Sequence, residues 1–212
     1  MRSESGSIGR SGTFTEAARR AQIMDAAIAT VNDVGYHRAS LAQIAARAGI
    51  AKSIISYHFE GKEQLLLYVI DEVFTGVEEA TRAAVAAAVA AADDPAARLA
   101  AFARGYLTFV RDHREEMIAA VEIAVSHRDG DGVPLYLAES DEENALLEGM
   151  VADGIAAGQF RQVDLTVART TVIHALDGAL TRSQIDAGVD LDAYGDQLIP
   201  MLLAALGYRP DG

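Results

Sequence analysis

Residues 40–62, SLAQIAARAGIAKSIISYHFEGK, constrain the fold more than any other stretch of this chain. Leu41, Ile44, Ala45 and Ala48 fall on one side of a helix. Ser40 precedes them, with Gln43 three residues on, the spacing of a capping box. Gly49 supplies a tight turn, because glycine tolerates positive φ cheaply. A further helix of about two turns runs from near Ala51 to Tyr57, then leaves through His58, Phe59 and Gly61-Lys62. Two short helices around a glycine turn form a helix–turn–helix, with the first helix packing behind the second.

The charge distribution gives this segment a direction. The 212-residue chain carries a net charge of −13, which by itself argues against a nucleic-acid partner. Residues 1–62 nevertheless hold 8 Lys/Arg against 5 Asp/Glu, whereas residues 63–212 hold 10 against 26. Both lysines of the protein, Lys52 and Lys62, lie inside the helix–turn–helix. A basic end can rest on phosphates while an acidic body is held away from them. Cysteine is absent, which excludes disulfides and Cys-based metal sites and fits a reducing compartment. No run approaches the roughly 18 apolar residues of a membrane span, and the charged N-terminus is followed by no apolar segment of a secretory signal. A cytoplasmic protein with no membrane association is expected.

Helical periodicity dominates from Thr15 onward, with no alternating strand pattern and no internal repeat. Residues 1–14, rich in Ser and Gly with Arg2 and Arg10, read as a flexible arm. Residues 15–62 form a three-helix head with its helix–turn–helix at 40–59, and residues 63–212 a larger helical body. The first helix carries Ile23, Ala27, Val31 and Val34 on one face and stops at Gly35. A long fourth helix opens at Lys62 with Leu65, Leu66, Val69, Val73, Phe74 and Val77. Asp94-Pro95 is a cap followed by an N1 proline, starting a helix to about Asp112. Further helices are expected over 114–126, from 135 or 139 to 157, 165–186 and 191–206, the last kinked or interrupted at Pro200. The expected class is all-α, with about nine helices.

In the second helix of the motif Ile50, Ile55 and Phe59 face inward, leaving Lys52, Ser53, Ser56 and Tyr57 outward. Ile54 lies at the boundary, either packed or pressed against a thymine methyl. Lysine and serine suit base edges or phosphates, Tyr57 and His58 suit backbone contacts, and Lys62 sits where free helix N–H groups favour a phosphate. Arg47 either flanks the DNA backbone or is solvated. With Ser40, the candidate DNA-contact set is Ser40, Lys52, Ser53, Ile54, Ser56, Tyr57, His58 and Lys62.

Taken together, SLAQIAARAGIAKSIISYHFEGKEQLL resembles the TetR family of transcriptional regulators. The likeness covers roughly residues 15–66. It rests on Ile44-Ala45, Ala48-Gly49, Tyr57-His58-Phe59 and Lys62-Glu63 leading into Leu65-Leu66. It implies an all-helical homodimer on a palindromic operator in double-stranded DNA, with a C-terminal domain that takes a small-molecule effector and releases the DNA. Four positions depart from the family pattern. Ala51 stands for a serine, Ser53 for a small residue or proline, Ile54 for threonine or serine, and Ser56 for an aromatic. The last two alter the reading face.

The body carries no ligand signature. Phe102, Tyr106, Phe109, Ile123, His127, Tyr136, Phe160, Ile173, His174 and Asp177 are candidates for an apolar cavity with a few polar groups, or for plain core. His174 and Asp177, three apart, could share one space. Ala168, Ala175, Gly178 and Ala179, with Leu198, Met201, Leu202 and Ala205, suit a four-helix dimer interface. His113, Glu116, Glu122 and His127 lack a second regular ligand pair for a metal, and DGDG at 129–132 reads as a turn rather than a calcium loop. No nucleophile–base set and no cofactor motif stands out. The expected function is a ligand-responsive repressor, with an inducer-free architectural or protein-recruiting DNA-binding factor as the alternative.

Overall fold

The computed structural model describes residues 8–92, 94–137 and 141–208, with side chains from Thr15 onward apart from 137 and 141–143. Among the described residues there are nine α-helices and no strand. These are α1 (Ile8–Val34), α2 (Leu41–Ala48), α3 (Lys52–His58), α4 (Lys62–Ala91), α5 (Pro95–Asp112), α6 (Arg114–Ser126), α7 (Asp141–Ala156), α8 (Leu165–Ile185) and α9 (Leu191–Ala205), with a 3₁₀ turn at Leu135–Leu137.

The flexible arm expected over residues 1–14 is corrected for residues 8–14. Residues 1–7 lie outside the described residues, but 8–14 continue α1 ahead of Thr15. Once a helix is nucleated, each added residue costs little, so a Ser/Gly-containing extension can propagate it. Pro200 does not interrupt α9. It is exposed, so the carbonyl left without its N–H partner can turn to solvent.

The chain divides into two compact units. The first comprises the residues up to Glu72 together with Ala119–Tyr136. There α1 packs on α2 and α2 on α3, burying Ile23, Ala27, Val31, Ile44, Ile55, Phe59, Leu65, Leu66 and Val69. Ala119, Ala120, Ile123 and Ala124 of α6 are buried as well. After α6 the chain makes a short hairpin, with a bridge between Arg128 and Pro134. Asp129 Oδ1 accepts the Asp131 and Val133 N–H groups at 2.9 Å each, so DGDG is a self-satisfied turn.

The second unit comprises Val73–Ile118 and the residues from Leu137 onward. Here α5 is central, packing against α7, α8 and α9. Asp94 caps it through Ala97 N–H at 2.8 Å, with Pro95 in the first turn. Leu99, Phe102, Leu107 and Val110 fill the core with Leu147, Val151 and Leu176. The approach of α4 to α5 is set by Gly105. A Cβ there would stand 3.0 Å from Ala84 Cβ and 3.2 Å from both Ala80 O and Thr81 Cα. No helix among the described residues is long and apolar enough to cross a membrane.

Because two of those neighbours are backbone atoms, a branched side chain at Gly105 has no flexible partner to displace. Gly105→Val is expected to destabilise the protein by about 2 kcal/mol through overpacking. Urea denaturation would show this as a lower midpoint; an unchanged midpoint would mean the α4–α5 seam is looser than described.

Candidate nucleic-acid interface

The helix–turn–helix is built from its caps inward. Ser40 is the α2 N-cap, extended at φ −137°, and its Oγ accepts Gln43 N–H at 3.3 Å. The return arm differs from the expected box. The Ser40 hydroxyl donates to Gln43 Oε1 at 2.7 Å, so the two side chains bind each other. Gly49 ends α2 in the left-handed region at φ 66°. From α1, Gln22 Nε2 donates to Ala48 O at 2.9 Å, pinning that C-terminus. α3 is seven residues long, and its N-cap, Ala51, makes no side-chain cap bond.

Two buried residues orient α3. Ile55 is fully buried and Phe59 nearly so, and Arg20 of α1 lies over both Phe59 and Tyr68, at 5.4 and 5.5 Å from the ring centroids. Such cation–π contacts join α1 to the exit of α3 and to α4. With that side fixed, Lys52, Ser53, Ser56 and Tyr57 are exposed, Tyr57 at 81%. Ile54 and Ile50 are half-buried, the boundary placement expected for Ile54. His58 is half-buried too, with Nδ1 inside and without a hydrogen bond, so Nε2 alone is left for an outside partner. Arg47 makes an ion pair with Asp33 at 2.7 Å.

Lys62 is engaged within the protein. Its Nζ donates to Tyr36 O at 2.5 Å and stands 4.7 Å from the Tyr36 ring centroid. Burial pushes its ammonium below the ordinary lysine value. Tyr36 is gripped at every polar atom. Its N–H donates to Glu122 Oε1 at 2.6 Å, and its hydroxyl lies 3.0 Å from His127 Nδ1. Burial, and then the Glu63 charge, push the Tyr36 phenol up, so it stays protonated.

The pocket candidates are shared between the two units. Ile123, His127 and Tyr136 belong to the first unit, and Tyr136 is exposed. In the second unit the Tyr106 hydroxyl donates to Asp177 Oδ1 at 3.0 Å, joining α5 to α8. His174 parts from Asp177: it is exposed and turns back to Thr170 O on its own helix, at 2.8 Å. Phe102 is fully buried, Phe109 stacks on His113 at 4.4 Å, and Phe160 packs against Gly154 and Tyr208. A separate groove of about 190 Å³ is lined by Arg161, Val163, Val167, Ala168, Thr171, Val172, Leu202, Ala205 and Leu206. Of the interface candidates, Ala168, Ala179 and Leu202 are buried, Ala175, Gly178 and Leu198 half-buried, and Met201 and Ala205 exposed.

The model for bacterial regulatory proteins of the tetR family matches residues 23–69, and that for the tetracyclin repressor-like C-terminal domain matches residues 92–204, more than half the chain. The chain belongs to the TetR family. Among curated TetR-like relatives, the HTH-type transcriptional regulator BetI of Yersinia pestis is 44% identical over 87 residues, covering 41% of this chain and 43% of that one. BetI of Cronobacter sakazakii is 34% identical over 108 residues, covering 51% and 52%. This TetR-family chain thus spans about half the length of the curated relatives it matches. Among solved structures, the fatty acid degradation regulator FadR of Bacillus halodurans superposes with a TM-score of 0.74 at 23% identity, over 90% of this chain and 97% of that one. FadR of Bacillus subtilis, solved with stearoyl-CoA, gives 0.67 at 21% identity, over 86% and 97%.

Sequence reasoning did not pair Glu122 or His127 with Tyr36. Their partners lie 86 and 91 residues away, and no local periodicity reports contacts at that separation.

With alanine at its N-cap, α3 starts without a side-chain cap bond. Ala51→Ser is expected to raise stability by about 1 kcal/mol. Thermal unfolding followed by circular dichroism would register a higher Tm; no gain would mean that a serine there finds no α3 N–H group.

Proposed function

We propose that this TetR-family protein is a ligand-responsive transcriptional repressor, bound as a homodimer to a palindromic operator and released by a small molecule. The observation that carries the reading is the exposed face of α3, with Lys52, Ser53, Ser56 and Tyr57 open while Ile55 and Phe59 anchor its back. That face suits the major groove. Lysine and serine supply donors to base edges and phosphates, and the half-buried Ile54 offers an apolar edge. Tyr57 and His58 Nε2 suit contacts to the sugar-phosphate backbone, and Ser40 a phosphate beside the first turn of α2. Lys62, occupied by Tyr36, acts first as a positioning residue, with its remaining N–H groups available to a phosphate. Residues 15–62 serve as the DNA-binding domain and the chain from residue 63 as the effector and dimerisation domain, working in the cytoplasm.

One seven-residue helix reads few base pairs, so specificity calls for a second copy one helical turn away, roughly 34 Å along the duplex. Exposed Met201 and Val167, at 68% and 63%, together with the apolar groove between α8 and α9, support pairing through those helices. Effector binding in the body, around the Tyr106–Asp177 pair and Phe102, would shift α4 and change the separation of the two recognition helices. Stearoyl-CoA, held by one structural neighbour, is the first effector probe to test.

The test is selection of bound duplexes from randomised DNA, followed by fluorescence anisotropy. A two-fold symmetric site is expected. Lys52→Ala and Tyr57→Ala should each weaken binding about tenfold with unchanged circular dichroism, and Lys52→Ala should lower the salt slope by about one. Full affinity in the folded double variant would refute the assignment of α3 as the reading helix.

A further inference from the structure

The glycine stops of α1 and α2 close in different ways. At the end of α2, Gly49 N–H donates to Ala46 O at 3.2 Å and Ile50 N–H to Ala45 O at 3.0 Å. This crossed pair is a Schellman motif, in which the helix supplies acceptors for both N–H groups that follow it. At the end of α1, Gly35 enters the left-handed region at φ 83°, and its N–H donates to Val31 O at 2.8 Å. That single bond is the simpler left-handed cap, which gives the next N–H, that of Tyr36, no acceptor in α1. The acceptor comes from α6. Glu122 Oε1 takes the Tyr36 N–H at 2.6 Å, from 86 residues further along the chain. A Cβ at Gly35 would stand 3.2 Å from the same oxygen, so the glycine also leaves room for the carboxylate.

We infer, on the DNA-binding reading above, that Glu122 is a positioning residue for DNA recognition. From α6 it completes the C-terminus of α1, and so holds the corner from which the helix–turn–helix departs. Glu122 has no place on α3 and acts through Tyr36.

The corner is short, so its position is passed on. Ala39 N–H donates to Gly35 O at 3.0 Å, and Ala39 is buried. The next residue, Ser40, is already the N-cap of α2. Tyr36 is thus held at its N–H by α6 and at its carbonyl by Lys62, the first residue of α4. Because α2 packs on α3, a corner that shifts carries the exposed face of α3 with it. A carboxylate is the stronger acceptor for a backbone N–H, since the bond is charge-assisted. Glutamine at 122 keeps an acceptor oxygen without the charge, whereas alanine removes the acceptor. The corner then retains its own backbone bond and the Lys62 contact, but nothing from α6 fixes the Tyr36 N–H.

The experiment compares the full-length protein with Glu122→Ala, Glu122→Gln and Val151→Ala. The last opens a cavity at a buried residue of α7 and lowers Tm without touching the corner. Affinity for the selected duplex is measured by anisotropy at a temperature where circular dichroism shows each variant folded. Glu122→Ala should bind about tenfold more weakly, and Glu122→Gln should recover most of that loss. Val151→Ala should bind like the parent. Should Glu122→Ala not fold, Glu122→Asp, which draws the carboxylate back by one methylene group, replaces it with a loss of about threefold expected. Parent affinity in Glu122→Ala or its replacement would overturn the positioning role. A glutamine variant no better than alanine would overturn the acceptor as its cause. Val151→Ala as weak as Glu122→Ala would reduce the effect to lost stability. Hydrogen exchange of the Tyr36 amide, followed by NMR without DNA, tests the tie alone: slow exchange is expected in the parent and fast exchange in Glu122→Ala, and equal rates would overturn it. A protein that selects no duplex refutes the DNA-binding reading itself, whatever the amide does.

Discussion

A helix of seven residues cannot hold itself together in water, because nucleation costs more than so few hydrogen bonds return. α3 is such a helix, and its N-terminus is uncapped. Its existence therefore depends on the burial of Ile55 and Phe59 against α1, α2 and α4. Everything on the outward face follows from that attachment. Removing Ile55 from water fixes the rotation of the helix, and the rotation sets Lys52, Ser53, Ser56 and Tyr57 toward solvent. Arg20 adds to this by lying over Phe59 and Tyr68, so a cation of α1 stiffens the exit of α3.

The polar interactions of the first unit are local in space and remote in sequence. Tyr36 has its N–H, its carbonyl, its hydroxyl and its ring face engaged by Glu122, Lys62 and His127. These bonds explain why the end of α6 and the following hairpin cluster with the head. A buried polar group left without a partner costs more than a paired one returns, and of this set His127 is the buried member.

Much of the fold was legible because its signals are local. The Asp94-Pro95 start and the Gly49 stop are properties of neighbouring residues, and they survive in the structure. The outward face of α3 was legible for the same reason, since helical periodicity separates buried Ile55 from exposed Ser53 and Ser56. What was not legible depends on distant partners. His174 and Asp177 share a helix, but Asp177 is claimed by Tyr106, 71 residues away, while His174 returns to its own backbone. His127 was grouped with the body by its place in the chain, although α6 delivers it to the head. The helical continuation over residues 8–14 was hidden by Ser/Gly composition, which reports propensity and not the momentum of a helix already formed.

The two lysines now differ in kind. Lys52 is exposed, whereas Lys62 is half-buried with its ammonium held by a carbonyl and a ring. Amine-reactive chemistry needs a free, accessible amine, so among the lysine side chains an acylating reagent would mark Lys52 and spare Lys62. The protein thereby offers a single addressable amine on its proposed DNA-reading helix, where a dye or cross-linker could be placed without engineering a cysteine.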